Sequence, residues 1–291
     1  MLSTESFNSF SPGIEDEIRK VIIKSSDATC FLDPMPTRLI KGQIDILLPT
    51  ITKIVNESLS SGLFPTDMKK NNLVKPILKK PSLDSEVLNN YRSISNLQFL
   101  SILIEPAAVS RITKQVTVNK LYEPPQSAYR AVSSTETTIV KAQNDIHMMI
   151  DDKKAVILIR LDLSAVFDTV DHNLLLSWMM TRLGIGGTVL TWLNLYLSGR
   201  SQRVSIGDAF SLVAILLFGV PQWSALGPTL FTIYTLPIGY IARTHDLNVH
   251  FYADDTQLYM SFDPTDHEDI TSTLRLKTVS AIYVSGWSKT S

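Results

Sequence analysis

Residues 248–262 read NVHFYADDTQLYMSF. Apolar and polar positions alternate on either side of Asp254-Asp255, a pattern that predicts two strands joined by an acidic turn. Adjacent carboxylates repel, and a hard divalent cation relieves the repulsion; an Asp-Asp pair without further context is more often just a hairpin tip. A second stretch bears on the choice. Residues 155–163, AVILIRLDL, form an apolar, β-branched run of strand length, which predicts a strand buried on both faces. Asp162 sits near its end, where a carboxylate is costly unless paired, hydrogen-bonded or bound to a cation. If the two segments are neighbours in one sheet, Asp162 and Asp254 converge. They could then hold two ions about 3.5–4 Å apart, the spacing used for in-line phosphoryl transfer. Taken alone, Asp162 could instead cap a helix that begins near Ser164.

Working outward, Glu15 to Ser25 reads as a short helix. The turn cluster at 33–37 leads into a helical pattern of Leu39, Ile46, Leu47, Ile51, Ile54, Val55 and Leu59, stopped at Gly62. Lys69, Lys70, Lys75, Lys79 and Lys80 surround an apolar core over 69–80, as in a basic edge strand or hairpin. That face is either solvated surface or a phosphate-facing finger. Residues 134–150 predict a helix with Ile139, Ile146 and Ile150 on one broad face. Helical patterns follow at 172–183 and 187–197, strands at 202–206 and 212–218, a helix opening at Gly227-Pro228, and a last helical pattern at 267–282. Asp168 and Asp171 read as capping or pairing residues, and His172, His245 and His250 as surface or capping residues.

Bulk properties narrow the classes. The 291 residues carry a net charge of −1 and are 44% hydrophobic, values of a globular chain and not of a disordered one. The charge argues against a complete, tight nucleic-acid binder. It argues less against a fragment whose acidic centre offsets basic channel residues. The single cysteine, Cys30, excludes an intramolecular disulfide and points to a reducing compartment, nucleus or cytoplasm. No signal-peptide pattern opens the chain, and no apolar run has the roughly 18 residues of a membrane span.

Five segments, taken in order, resemble the reverse transcriptases of LINE-type (non-LTR) retrotransposons. LVKPILKKPSLDSEVLNNYRSISNLQFLS at 73–101 and QSAYRAVSSTETT at 126–138 are similar to the finger motifs. LDLSAVFDTVDH at 161–172, GVPQWSALGPTLF at 219–231 and FYADDTQLYMSF at 251–262 are similar to three successive palm motifs. The resemblance implies an α+β fold of right-hand polymerase type, with fingers, an antiparallel palm sheet flanked by helices, and no thumb. Residues 1–70 would be an N-terminal extension and helical segment, 71–150 the fingers, and 151–291 a palm that stops before the thumb.

The implied activity is RNA-directed DNA polymerisation with two Mg²⁺ ions, or Mn²⁺ in their place. Its partners would be an RNA template, a DNA primer and deoxynucleoside triphosphates, with no membrane involved. By the same resemblance Asp162, Asp254 and Asp255 are the catalytic carboxylates. Asp162, Asp254 and the Leu163 carbonyl are the metal ligands. Phe167 would pack beneath the incoming sugar, and Gln222, Arg92 and Arg130 would contact the nucleotide. Tyr252, Lys75 and Lys79 would meet primer and template. Phe167 and Tyr252 read equally as core aromatics, and the arginines as surface ion-pair residues.

The chain also departs from the family pattern. Trp223 stands where the family has a glycine, a residue that allows close backbone approach to a substrate. Ser93 replaces a proline, Ile102 and Pro106 replace lysines, Ala128 and Tyr129 replace Gly-Phe, and Ser133 replaces a basic residue. An interior proline costs a helix about 3 kcal/mol. The competing expectation is therefore a truncated, inactive relic that at most binds nucleic acid. A phosphotransferase using an aspartyl nucleophile in 162–168 lacks a matching lysine motif downstream.

Overall fold

The computed structural model describes residues 6–27, 33, 35–69, 72–122, 135–162, 166–221, 224–253 and 255–265. In chain order the helices are α1 (Glu15–Lys24), α2 (Thr37–Gly42), α3 (Ile44–Ser61), α4 (Phe99–Val118), α5 (Thr135–Asp151), α6 (His172–Leu183), α7 (Gly187–Leu197), α8 (Gly227–Tyr234) and α9 (Leu236–Thr244). The strands are β1 (Asn72–Leu78), β2 (Tyr91–Asn96), β3 (Ala155–Asp162), β4 (Arg200–Ile206), β5 (Ala209–Phe210), β6 (Ala214–Leu216), β7 (Asn248–Tyr252) and β8 (Asp255–Phe262). The fold is mixed α+β. It forms two compact units, Met1–Leu121 with Phe167–Phe231, and Tyr122–Val166 with Thr232–Ser291. The helical pattern expected at 267–282 lies outside the described residues.

The first unit packs helices against an aromatic centre. Trp192 of α7 is fully buried. Its ring stacks on Tyr196 at 5.6 Å and meets Phe10 and Phe64 edge-on at 5.7 and 5.3 Å. Such offset or edge-to-face contacts are the favoured arrangements of aromatic quadrupoles. The indole N–H donates to Ser58 Oγ at 3.0 Å, so no donor is stranded in the core. Helix α1 buries Ile18 and Ile22, one turn apart, and places Glu15, Asp16 and Glu17 at its positive end. Arg111 of α4 fastens this N-terminal segment: its guanidinium donates to the carbonyls of Ser11 and Pro12, each at 2.9 Å, and to Glu17 Oε2 at 2.8 Å. The single helix expected over 39–59 is two, because the chain turns at Gly42-Gln43 between α2 and α3. Helix α4 runs on through Pro106 while burying Leu103, Ile104, Ala107, Ala108, Ile112 and Val116. Burial of that scale offsets one interior proline.

The sheet of this unit has the order β2-β1-β4-β5, with β6 also pairing β4. Strand β1 is antiparallel to β2, from Leu73↔Asn96 to Leu78↔Tyr91, and parallel to β4 over Asn72–Val74. The expectation of an edge strand at 69–80 is thus corrected: β1 is paired on both sides. Lys69, expected with the surface lysines, is buried. Its ammonium donates to the carbonyls of Leu195 and Ser198 at 2.7 and 3.0 Å, closing the C-terminal end of α7, where a cation is favoured.

The second unit is built on a three-stranded antiparallel sheet of order β3-β8-β7. One face carries Ile157, Ile159 and Leu161 of β3, Val249 and Phe251 of β7, and Leu258 and Met260 of β8. These pack with Ile238 and Ala242 of α9 and with Leu247. The even-numbered side of β3 is open: Leu158 is 45% exposed and Arg160 is exposed. The expectation that β3 is buried on both faces is therefore corrected. Among the described residues it is an edge strand, and its apolar run covers one face only.

On the second face of the sheet, α5 attaches through Asp145. The Tyr259 hydroxyl donates to Asp145 Oδ2 at 2.6 Å, and His250 Nε2 lies 3.2 Å from the same oxygen. The His250 and Tyr259 rings stack at 5.7 Å. His250, expected at the surface, is only 4% exposed. The helix face that packs is centred on Ala142, Asp145, Ile146 and Met149. Ile139 and Ile150, expected on the packed face, are about half exposed.

The first unit also contains the turn before α6. Asp171 caps that helix, accepting from the Leu174 amide at 2.9 Å. The Gly219 amide donates to the Val170 carbonyl at 2.8 Å, the Val220 amide donates to the Phe167 carbonyl at 2.7 Å, and His172 Nε2 meets the Gly219 carbonyl at 2.7 Å. This approach is so close that a Cβ on Gly219 would lie 2.9 Å from the Asp168 Cα and carbonyl oxygen and from the Phe167 carbonyl oxygen. Its φ of +86° is also one that other residues rarely adopt.

Two stability changes follow from these contacts. Gly219→Ala sets a methyl against three backbone atoms in a left-handed conformation, and should cost about 2–4 kcal/mol in denaturant unfolding. An unchanged midpoint would show that the turn is not held this closely. The second concerns Asp145. Burial pushes its carboxyl up, but the hydrogen bonds from Tyr259 and His250 together outweigh burial and hold it below the ordinary carboxylate range. A depressed carboxylate stabilises the fold above its unfolded value, near 3.9, and that stabilisation is lost as pH falls through the folded value. Thermal unfolding followed from about pH 5 downward should therefore fall more steeply for the wild type than for Asp145→Asn. Parallel curves would show that the Asp145 contacts carry no pH-linked stability.

Candidate active site

Two of the acidic residues singled out in the sequence, Asp162 and Asp255, stand at strand ends of the three-stranded sheet. In the pairing of β3 with β8, Asp162 is the direct cross-strand partner of Asp255; in that of β7 with β8, Asp255 is the partner of Tyr252. Directly opposed residues in an antiparallel pair share a face, with Cα atoms about 4.5–5.5 Å apart. Tyr252, Asp255 and Asp162 therefore form one row across the sheet, on the face opposite Ile157, Ile159 and Leu161. Arg160 and Gln257 form the next row of that face.

This row follows from apolar alternation. A slip of one residue between β3 and β8 would turn Ile157, Ile159 and Leu161 away from α9, so core packing excludes it. The connection from Tyr252 to Asp255 is two residues long. Its first residue, Ala253, has a φ of 54°, as the tightest hairpin turns require. A non-glycine residue there is strained, and strain of this kind persists only where the surrounding pairing enforces it.

The second residue of that turn, Asp254, lies outside the described residues, as do Leu163, Arg130, Gln222 and Trp223. Among the described residues no cluster of three or more His, Cys, Asp or Glu is poised around a common point. The described donor set is the opposed pair of acidic positions, 162 and 255, with Asp255 exposed. Like charges directly across a ladder are destabilising. Carboxylate oxygens are hard donors of the kind that Mg²⁺ takes.

The remaining expected site residues fall in the first unit. Lys75, Ile77 and Arg92 share one face of the β1–β2 pair, since Lys75 opposes Ile94 and Ile77 opposes Arg92. Lys75, Lys79 and Arg92 are exposed, so this face presents a row of cations. The other face, with Val74, Ser93 and Ser95, borders a cavity of about 150 Å³ that Asp168, Gln202 and the turn Gly219–Pro221 also line. Phe167, part-buried, packs its ring 5.0 Å from that of Phe231.

Sequence reasoning missed Glu105. It is fully buried in α4 and accepts hydrogen bonds from Ser101 Oγ and from the Ala225 amide, each at 3.0 Å. The signal was available: a lone glutamate in the apolar run FLSILIEPAA at 99–108, where a carboxylate needs a reason to be inside.

Comparison with known proteins gives the family. The family described as "Reverse transcriptase (RNA-dependent DNA polymerase)" matches residues 77–285. Over 213 residues the chain is 27% identical to the "Probable RNA-directed DNA polymerase from transposon BS" of Drosophila melanogaster, covering 72% of this chain and 23% of that protein. It is 26% identical over 249 residues to the "RNA-directed DNA polymerase from mobile element jockey" of the same species, covering 84% and 26%. A third relative there, the "Probable RNA-directed DNA polymerase from transposon X-element", is 27% identical over 186 residues, 64% of this chain and 20% of that protein. The chain spans about a quarter of the length of the curated relatives it matches. With 72% of its residues, 209 of 291, inside the family match, the chain belongs to the reverse transcriptase family, and its relatives are those of LINE-type (non-LTR) retrotransposons.

Proposed function

We propose that this chain contributes the fingers and palm of an RNA-directed DNA polymerase, and that Asp162, Asp254 and Asp255 are its catalytic carboxylates. The observation that carries the proposal is the cross-strand pairing of Asp162 with Asp255 beside the two-residue turn that holds Asp254. Asp162 and Asp254, with the Leu163 carbonyl, would hold two divalent ions. When bound, such ions lower the pKa of a primer 3′-hydroxyl and neutralise charge on the triphosphate and the departing pyrophosphate.

The chain's own residues contribute position and charge. The register sets positions 162 and 255 directly opposite each other, and carboxylates held there in advance would need little reorganisation. Tyr252, in the same row, flanks the primer terminus. The cationic face of Lys75 and Arg92, with Lys79, grips the phosphates of template or nucleotide without reading sequence. Gln222 and Arg130 contact the incoming nucleotide, and Phe167 packs beneath its sugar, where a ring excludes a 2′-hydroxyl. The substrates would be deoxynucleoside triphosphates on an RNA template with a DNA primer.

One feature favours a second reading, a catalytically silent relic that binds nucleic acid. Trp223 brings an indole to the position of the family glycine, next to Gln222. The two readings separate in primer extension on an RNA template. The polymerase reading predicts incorporation that requires Mg²⁺ and falls at least about a hundredfold in Asp254→Asn and in Asp162→Asn. Extension that survives Asp254→Asn would remove the site assignment. Salt-sensitive binding of primer–template with no incorporation, restored by Trp223→Gly, would establish the relic reading with a local lesion.

A further inference from the structure

We infer that Glu105 is a positioning residue for the nucleotide-facing turn at 219–227, acting from inside the first unit. The inference rests on the proposed role of Gln222, which that turn carries. Glu105 Oε2 accepts from the Ala225 amide at 3.0 Å and Oε1 from Ser101 Oγ, one helical turn away. The Leu226 amide also faces the carboxylate. Burial pushes the Glu105 carboxyl up, and the positive charge of Arg200, itself 1% exposed, opposes that only in part. Its guanidinium stacks over the Tyr196 ring at 4.2 Å, and its Nε donates to the Tyr196 carbonyl at 2.6 Å.

Burying a carboxylate and a guanidinium is expensive, and apolar residues of similar volume would often do as well for stability alone. What the carboxylate adds is direction: an acceptor at a fixed height, aimed at one amide of a distant loop. At its other end the turn is tied to the Phe167 and Val170 carbonyls through the Val220 and Gly219 amides. Ser224 continues the bracing, its amide donating to the Pro221 carbonyl at 3.2 Å and its hydroxyl accepting from the Gly227 amide at 2.8 Å. The segment is thus fastened at two described points, Gly219–Val220 by the Val170 and Phe167 carbonyls and Ala225 by Glu105. Displacing a substrate-positioning group by about 1 Å can cost a hundredfold in rate.

The test compares Glu105→Gln, which keeps an acceptor oxygen, with Glu105→Ala, which removes it. The first readout is amide hydrogen exchange in a peptide spanning 220–228 of the full chain, with a peptide from α7 as the fold control. It needs no polymerase activity. A wild-type chain without incorporation would count against the proposed function and leave this comparison intact. In Glu105→Ala, protection at 220–228 should fall by about tenfold, the loss of one buried hydrogen bond, while α7 keeps its protection. Glu105→Gln should retain it. In primer extension normalised to active sites, Glu105→Ala should raise KM for the nucleotide by about tenfold, with Glu105→Gln near the wild type.

Equal protection and equal KM in all three proteins would overturn the inference. So would a uniform loss of protection across the first unit with KM unchanged, which marks a purely structural residue. If Glu105→Ala does not fold, Ala225→Pro deletes the donor while leaving Glu105 and Arg200 unchanged. A raised KM there supports the assignment, and an unchanged KM overturns it.

Discussion

The pairing of β3 with β8 is the constraint on which the account of this chain depends. Nothing about an aspartate at 162 or at 255 is chemically special in isolation. The pairing makes them a unit, and the pairing is enforced from the opposite face of the sheet. Ile157, Ile159, Leu161, Leu258, Met260, Val249 and Phe251 need to face α9 together. Only one register satisfies them all, and it sets the acidic positions 162 and 255 directly opposite each other. Like charges so placed on a ladder are unfavourable, and a cation would relieve that.

The two units show the same logic at different scales. In the second, a single carboxylate on α5 gathers a tyrosine and a histidine of the sheet. In the first, Glu105 reaches from α4 to the backbone of a loop 120 residues away in sequence. Buried polar groups here act as fasteners between segments distant in the chain, whereas apolar contacts supply the bulk of burial. The Arg111 contacts with Ser11, Pro12 and Glu17 extend this to residues that precede the family match. That segment therefore packs as part of the first unit.

Much of this was legible in the sequence. The alternation around Asp254-Asp255, the β-branched run ending at Asp162, and the helical patterns at 172–183 and 187–197 lie close to the strands and helices observed. Ordered motifs gave the family. The errors share a cause. The apolar run of β3 said how greasy the strand is but not which neighbours it has, so an edge strand with one open face was read as buried on both sides. Lys69, His250 and Glu105 each depend on a partner 105 to 129 residues away, which local pattern does not encode. A charge in an apolar run was visible at Glu105, and asking what it pairs with would have exposed the clamp.

The most direct test of the central claim is a titration of the full chain with Mn²⁺, followed by electron paramagnetic resonance in the presence of primer–template and a nucleotide. If the register of β3 and β8 builds a shared carboxylate site, the wild type takes up Mn²⁺ that Mg²⁺ displaces. Asp162→Asn and Asp255→Asn should each weaken that uptake, though they lie on strands 93 residues apart in sequence. Uptake indifferent to both substitutions would mean that the paired aspartates hold no metal, and the account would fail at its base.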